Sequence, residues 1–158
     1  VDGNCVTTYN NATSRRHTWI IYRLAEVYLN YAEAMYYYYG NADEKGDFGM
    51  SANEAINVLR NRADIMMPEF KEDGAAWVER YERERLVELA FENHRFWDVR
   101  RWKKGNEYFK NVVVANISAN NQLTRSTVTR QWDDKYYLYP IPQSEIKKNP
   151  ALGQNPGW

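Results

Sequence analysis

The sequence predicts a mainly α-helical fold. It should consist of tetratricopeptide-like helical pairs, an irregular loop and short-hairpin segment, and a proline-rich C-terminal strap. Three observations carry this expectation: two amphipathic periods separated by a glycine-bearing loop, a longer charged period beyond them, and prolines crowded at the end. Pro140, Pro142, Pro150 and Pro156, four of the five prolines, follow Tyr139. The length of 158 residues fits one domain with room for a core.

Residues 1–18 are polar and turn-rich and read as a lead-in loop. A first helix is expected from about Trp19 to Tyr39. Leu24, Tyr28, Tyr31 and Met35 form one stripe, with Ala25, Leu29 and Ala32 on an adjacent face of smaller residues. Small residues on such a face let a neighbouring helix come close. Gly40 stops the helix as a C′ glycine. In the loop NADEKGDFGM, Asp43, Glu44 and Asp47 lack the spacing of a calcium loop. Ser51 and Glu54 form a capping box that opens a second helix through Ala55, Ile56, Leu59 and Ala63, and Pro68 closes the region.

The two helices make one antiparallel pair of roughly tetratricopeptide size. One such pair cannot bury all its faces, so further helices are expected in a longer parent chain. A third helix is expected from about Ala75 to Trp102, with Trp77, Tyr81, Leu86, Leu89, Ala90, Phe96 and Trp97 as its apolar contacts and Gly105 as its end. From Phe109 to Trp132, β-branched residues surround an Asn-rich centre, SANNQ, and read as a loose hairpin or long loop. Tyr136–Tyr139 looks strand-like. The tail beyond it is too punctuated by proline to be a helix, yet Ile141, Ile146, Leu152 and Trp158 are too apolar for a disordered end.

Composition excludes several functions. Lysine plus arginine equals aspartate plus glutamate at 21 each, so no basic field recruits nucleic acid. The single cysteine, Cys5, excludes an intrachain disulfide, and His17 and His94 stand far apart, so neither metal nor cofactor is expected. No stretch approaches eighteen apolar residues, and the chain opens at Val1 without a signal-like segment, as a fragment would.

The third helix holds the one dense charged constellation. Paired carboxylates such as Glu88 and Glu92 could serve a glycosidase. However, Arg85/Glu88, Glu92/Arg95, Arg95/Asp98 and Asp98/Arg101 are all opposite charges at i,i+3, the spacing by which a helix pairs its own charges. Carboxylates beside guanidinia stay ionised, whereas a catalytic acid needs a raised pKa. Glycine-rich phosphate loops and nucleophile elbows are also missing from the sequence, so no enzyme is expected.

The remaining outlier is aromatic content: six tryptophans, thirteen tyrosines and five phenylalanines. Aromatic rings pack cores and interfaces, and their flat faces also stack on sugar rings. The run Tyr36–Tyr39 must fan its rings around the helix, leaving at least one exposed. Tyr38 in that run and Trp132 at the edge of the irregular region are the candidate carbohydrate-binding residues.

Four blocks, in order, resemble the C-terminal region of the SusD/RagB outer-membrane proteins. They are RLAEVYLNYAEA (Arg23–Ala34), AINVLRNRA (Ala55–Ala63), ERLVELAFENHRFWDVRRW (Glu84–Trp102) and YLYPIPQSEIKKNPALGQNPGW (Tyr137–Trp158). Asp64 departs from the pattern, because the family commonly has glycine there. The resemblance implies a surface lipoprotein of a Gram-negative, glycan-using bacterium. Such a protein binds an oligosaccharide or other nutrient and sits as a lid on a TonB-dependent SusC-like transporter, without covalent chemistry. It also implies that residues 1–158 are a C-terminal domain, with Trp158 as the native end. Any membrane attachment would run through a lipid anchor absent from this fragment. The competing expectation is a helical scaffold or protein-interaction module with no ligand site of its own.

Overall fold

The computed structural model describes residues 20–158. Cys5, His17 and Trp19 therefore lie outside the described residues. The chain divides into two compact units, one ending at Glu88 and the other spanning Leu89–Trp158. The described residues are mostly helical, with one small antiparallel sheet.

The first unit contains α1 (Leu24–Tyr39), α2 (Ala52–Arg60) and α3 (Gly74–Glu88). Helix α1 starts at Leu24 rather than near Trp19. Arg23 is extended, with φ −147° and ψ 159°, and its guanidinium reaches the main-chain oxygen and, at 2.6 Å, the carboxylate of Glu88. Gly40 ends the helix in the left-handed region at φ 67°, its N–H donating to the Tyr36 carbonyl at 2.8 Å. The smaller-residue face is the buried one: Ala25, Leu29 and Ala32 face the core, and of the other stripe Met35 is buried whereas Leu24 is 67% exposed. Alanines at the contact let α2 pack closely on α1.

Helix α2 opens on the capping box. Ser51 Oγ accepts from the Glu54 N–H at 3.2 Å, and Glu54 accepts from the Ser51 N–H at 2.9 Å. The helix ends at Arg60, three residues before the expected Ala63, and the left-handed residue of the following turn is Met66, at φ 46°. Two buried asparagines of α2 then organise the loops. Asn57 pairs with both main-chain groups of Phe70, at 2.9 and 2.7 Å. Asn53 donates to Asp43 and to the Glu72 carbonyl, and accepts from Trp77 Nε1 at 3.0 Å. Each satisfies a polar group that burial would otherwise penalise.

Trp77 is fully buried and stacks between Tyr36 and Tyr81, with ring centroids 4.0 and 4.7 Å away and interplanar angles of 10° and 6°. Tyr81 donates its hydroxyl to the Leu29 carbonyl or the Glu33 carboxylate, at 2.9 and 2.8 Å. Burial, reinforced by the Glu33 charge, pushes the Tyr81 phenol well above its usual range. The folded state therefore holds the Tyr81 proton where the unfolded chain releases it, so this contribution to stability is complete below about pH 10 and declines above it. We expect Tyr81→Phe to flatten the alkaline fall in unfolding free energy, measured by urea titration between pH 9 and 11. An unchanged slope would mean that Tyr81 is not a source of alkaline sensitivity.

The second unit begins where the expected third helix breaks. The sequence Leu89–Asn93 forms a turn in which Phe91 and Asn93 both have left-handed backbone, at φ 66° and 65°. Two such residues interrupt the helical hydrogen-bond ladder, so α4 is a separate helix, His94–Arg101. Gly105 does not terminate a helix. It opens the short α5 (Gly105–Tyr108), and the left-handed residue after α4 is Lys103, at φ 55°.

The hairpin is regular: β1 (Asn111–Ile117) pairs antiparallel with β2 (Leu123–Thr129), Val114 opposite Ser126, around a turn at 118–122 where Asn121 has φ 57°. Asn tolerates that conformation well, which explains the Asn-rich centre. The expected strand-like Tyr136–Tyr139 is not a strand: Tyr136 and Tyr137 end a 3-10 turn, Asp134–Tyr137, capped by Asp133. The tail also contains a helix, α6 (Gln143–Lys148), contrary to expectation. Pro142 sits at its N-cap, where a missing N–H costs nothing, and six residues suffice for more than one turn before Pro150. Beyond α6, Gln154 pairs with both main-chain groups of Ile141 (2.7 and 2.9 Å), and Trp158 Nε1 donates to Lys135 or Leu138 carbonyls.

Candidate functional site

The second unit buries few aliphatic side chains; Leu89 and Val99 are its buried hydrophobics. An aromatic and guanidinium cluster does most of its packing. Arg100 lies over the rings of Phe96 (4.3 Å) and Tyr139 (4.8 Å), and donates to the Tyr136 carbonyl. Arg95 lies 4.0 Å from the Tyr108 ring centroid. Trp132 belongs to this cluster. Its centroid is 5.1–5.7 Å from those of Phe109, Tyr136 and Tyr137. Its six-membered ring also lies directly against Gly105, where a Cβ would come within 2.0 Å of Trp132 Cζ2. The indole is half-buried.

Tyr38 lies in the other unit and in a different setting. It is 76% exposed and touches Tyr39 edge-on, at 4.8 Å between centroids. Tyr37 is exposed beside it, while Tyr36 stacks on Trp77 and Tyr39 packs towards Phe48. The two candidate residues thus fall in separate compact units.

Several charges of the expected third helix engage residues of other segments. Glu84 pairs with Arg60, which is only 4% exposed and also donates to the Pro68 carbonyl at 2.8 Å. Glu88 accepts from Arg23 at 2.6 Å and from Arg62 at 3.2 Å, while Arg85 donates to Asn30 at 2.7 Å. Asp98 and Arg101 keep the expected i,i+3 pair at 2.8 Å. Guanidinia hold these carboxylates in charge-assisted pairs, and those of Glu84 and Glu88 cross-link separate segments of the chain. The acidic loop is similarly occupied: Asp43 takes the Asn53 amide, and Glu44 accepts from the Lys45 and Gly46 N–H groups.

Sequence reasoning missed a cleft of ≈530 Å³ in the first unit, between the end of α2, the turn after it and the outer face of α3. Its lining includes four arginines (Arg60, Arg62, Arg80, Arg83), two glutamates (Glu84, Glu88) and the aliphatic Ile65, Met67 and Val87. The signal that could have found it is the α3 spacing 80, 83, 84, 87 and 88, one helical face.

Similarity to known proteins agrees with this architecture. SusD-like protein P2 of Formosa agariphila is 31% identical over 160 residues, covering 94% of this chain and 28% of its own length. The crystal structure of a SusD-like protein from Bacteroides fragilis superposes with a TM-score of 0.73 at 37% identity, over 89% of this chain and 26% of that one. The chain thus spans about a quarter of the length of these relatives. Residues 2–158 match the SusD family, and the chain belongs to it.

Proposed function

We propose that this chain is the C-terminal part of a non-catalytic, nutrient-binding protein of the outer membrane. Its cargo is an oligosaccharide, handed to a TonB-dependent SusC-like transporter at the cell surface, and a lipid anchor elsewhere in the parent holds it there. The match to the SusD family across residues 2–158 carries this reading. The aromatic surplus supports it, because binding a sugar uses flat apolar faces. Of the two aromatic candidates, Tyr38 offers the open ring that stacking on a sugar requires, and Trp132 would add only the part of its indole its neighbours leave uncovered.

Calorimetric titration of the full-length parent with a panel of oligosaccharides tests the reading. We expect saturable heat with at least one glycan and co-purification with the transporter. Silence across a broad panel would remove the carbohydrate part. Tyr38→Ala in the same protein is expected to weaken that binding several-fold with unchanged melting, as stacking one ring contributes about 1 kcal/mol.

A second reading is favoured by one observation: α1 leaves Leu24, Val27 and Tyr38 exposed along one side. Under it, α1 and α2 form a tetratricopeptide-like pair stacked against further helices, and the chain is a scaffold with the tail as its closing strap. Tyr38→Ala would then change association or stability and leave glycan binding untouched.

A further inference from the structure

We propose that Arg95 receives a carboxylate of the cargo, which makes that oligosaccharide an acidic one containing uronic acid. This inference deepens the nutrient-binding reading and rests on it. It starts from a pairing that the spacing predicts and the fold does not make. Arg95 stands three residues from both Glu92 and Asp98, yet it pairs with neither; Asp98 goes to Arg101 at 2.8 Å. What the guanidinium meets instead is aromatic, the Tyr108 ring at 4.0 Å from its centroid and the Trp102 ring at 5.9 Å. Its Nη1 is shut off from solvent and has no hydrogen-bond acceptor. A charge taken out of water without a counter-ion is costly, and the two rings offset only part of that cost. A carboxylate completes the arrangement, since the planar fork of arginine N–H donors matches its two oxygens.

The surroundings add positive charge and do not supply the anion. Lys104 Nζ lies 5.9 Å from the same Tyr108 centroid, and the Arg101 guanidinium lies 4.8 Å from that of Trp102. Each of these two cations has a carboxylate of its own: Arg101 has Asp98, and Lys104 has Glu107 at 3.9 Å. Among the described residues, Arg95 is the cation left over at these two rings. The same imbalance holds across the unit. Leu89–Trp158 carries eleven lysines and arginines against six aspartates and glutamates, a surplus hidden in the whole chain because the first unit carries the opposite one. Charge complementarity therefore selects an anion for this unit, and the fork of Arg95 selects a flat one with two oxygens. Within an oligosaccharide cargo that group is the carboxylate of a uronic acid. A neutral sugar would leave the guanidinium unanswered.

Calorimetric titration of the full-length parent tests this with short oligomers of galacturonate, glucuronate and mannuronate. Each is paired with its methyl ester, which keeps the sugar ring and removes the charge. We expect at least one acidic oligomer to bind about tenfold more tightly than its ester, the difference shrinking as salt is added. Arg95→Gln should bring the acid down to the level of the ester and leave ester binding unchanged. Arg95→Lys keeps a cation beside Tyr108 without the fork, so it should melt with the wild type and still bind the acid several-fold more weakly. Equal binding of acid and ester overturns the proposal and leaves the oligosaccharide reading standing; this is also the result if a carboxylate elsewhere in the parent already occupies Arg95. A parent that binds no saccharide, acidic or neutral, removes both. A preference for the acid that survives in Arg95→Gln overturns the proposal as well. So does an equal loss of acid and ester binding, since Arg95 would then act only on the fold.

Discussion

Trp77→Ala is expected to unfold the unit ending at Glu88, or to leave it barely stable. The indole is fully buried and has aromatic partners on both faces, Tyr36 and Tyr81, with Phe70 edge-on at 6.3 Å. Deleting a buried tryptophan removes a large apolar area and leaves a cavity, at a cost of about 3–5 kcal/mol. Two further losses add to it. Asn53 Oδ1 loses its indole donor inside the core, and Tyr81 loses the ring that holds it against Leu29 and Glu33. A small domain has about 5–15 kcal/mol of total stability, so one substitution consumes much of it. Trp77→Phe should cost less, since it keeps a ring in the stack and loses the hydrogen bond and part of the area. Urea denaturation followed by far-UV circular dichroism measures both variants. A loss below about 1 kcal/mol for Trp77→Ala would contradict this account of the core.

The same core explains what can be read from the sequence and what cannot. Ser51, Glu54 and Gly40 act within four residues of themselves, so their roles as box and C′ glycine are local and legible. The hairpin around SANNQ is legible for the same reason, since Asn121 supplies the left-handed turn. The break after Glu88 is different. Asn93 is a residue type that tolerates the left-handed region, but Phe91 adopts it although nothing about phenylalanine favours it, and Phe91 lies closer to the end of α3. Asn53 and Asn57 look like surface amides in a helix; only the loops returning at Phe70 and Glu72 make them buried linchpins.

The charges carry the sharper lesson. Opposite signs at i,i+3 suggest pairing along one helix, and Asp98 with Arg101 does so. Glu84 and Glu88 instead answer arginines far away in sequence, Arg60, Arg62 and Arg23. Three of the four blocks that resemble the family therefore meet through these ion pairs: the first through Arg23, the second through Arg60 and Arg62, the third through Glu84 and Glu88. Periodicity reports which face a charge lies on, and cannot report which distant chain segment arrives there. The cleft beside these pairs was hidden for the same reason, because it needs the turn after α2 to bring Ile65 and Met67 opposite α3.

Gly105→Ala is expected to be nearly as damaging to the second unit, although it adds only one methyl group. The backbone dihedrals do not forbid alanine there, since Gly105 is not among the residues with positive φ. The obstacle is Trp132, whose Cζ2 and Cε2 would lie 2.0 and 2.1 Å from the new Cβ. Neither side can yield easily. The Gly105 N–H is fixed by the Tyr137 hydroxyl at 3.0 Å, which itself donates to the Lys103 carbonyl at 2.7 Å. The indole is bounded by Phe109, Tyr136 and Tyr137. Overpacking of this kind costs about 1–3 kcal/mol, and here the upper end or more, because the colliding groups are backbone and rigid ring. Trp132→Ala alone should also destabilise, by about 3 kcal/mol, through lost packing. The double variant Gly105→Ala/Trp132→Ala separates this mechanism from a general intolerance of alanine at the start of α5. With the indole gone the new methyl has room, so the pair should cost little more than Trp132→Ala by itself, a coupling well outside the scatter of independent sites. Strict additivity of the two single changes in urea denaturation would mean that the close approach of Trp132 to Gly105 does not organise this unit.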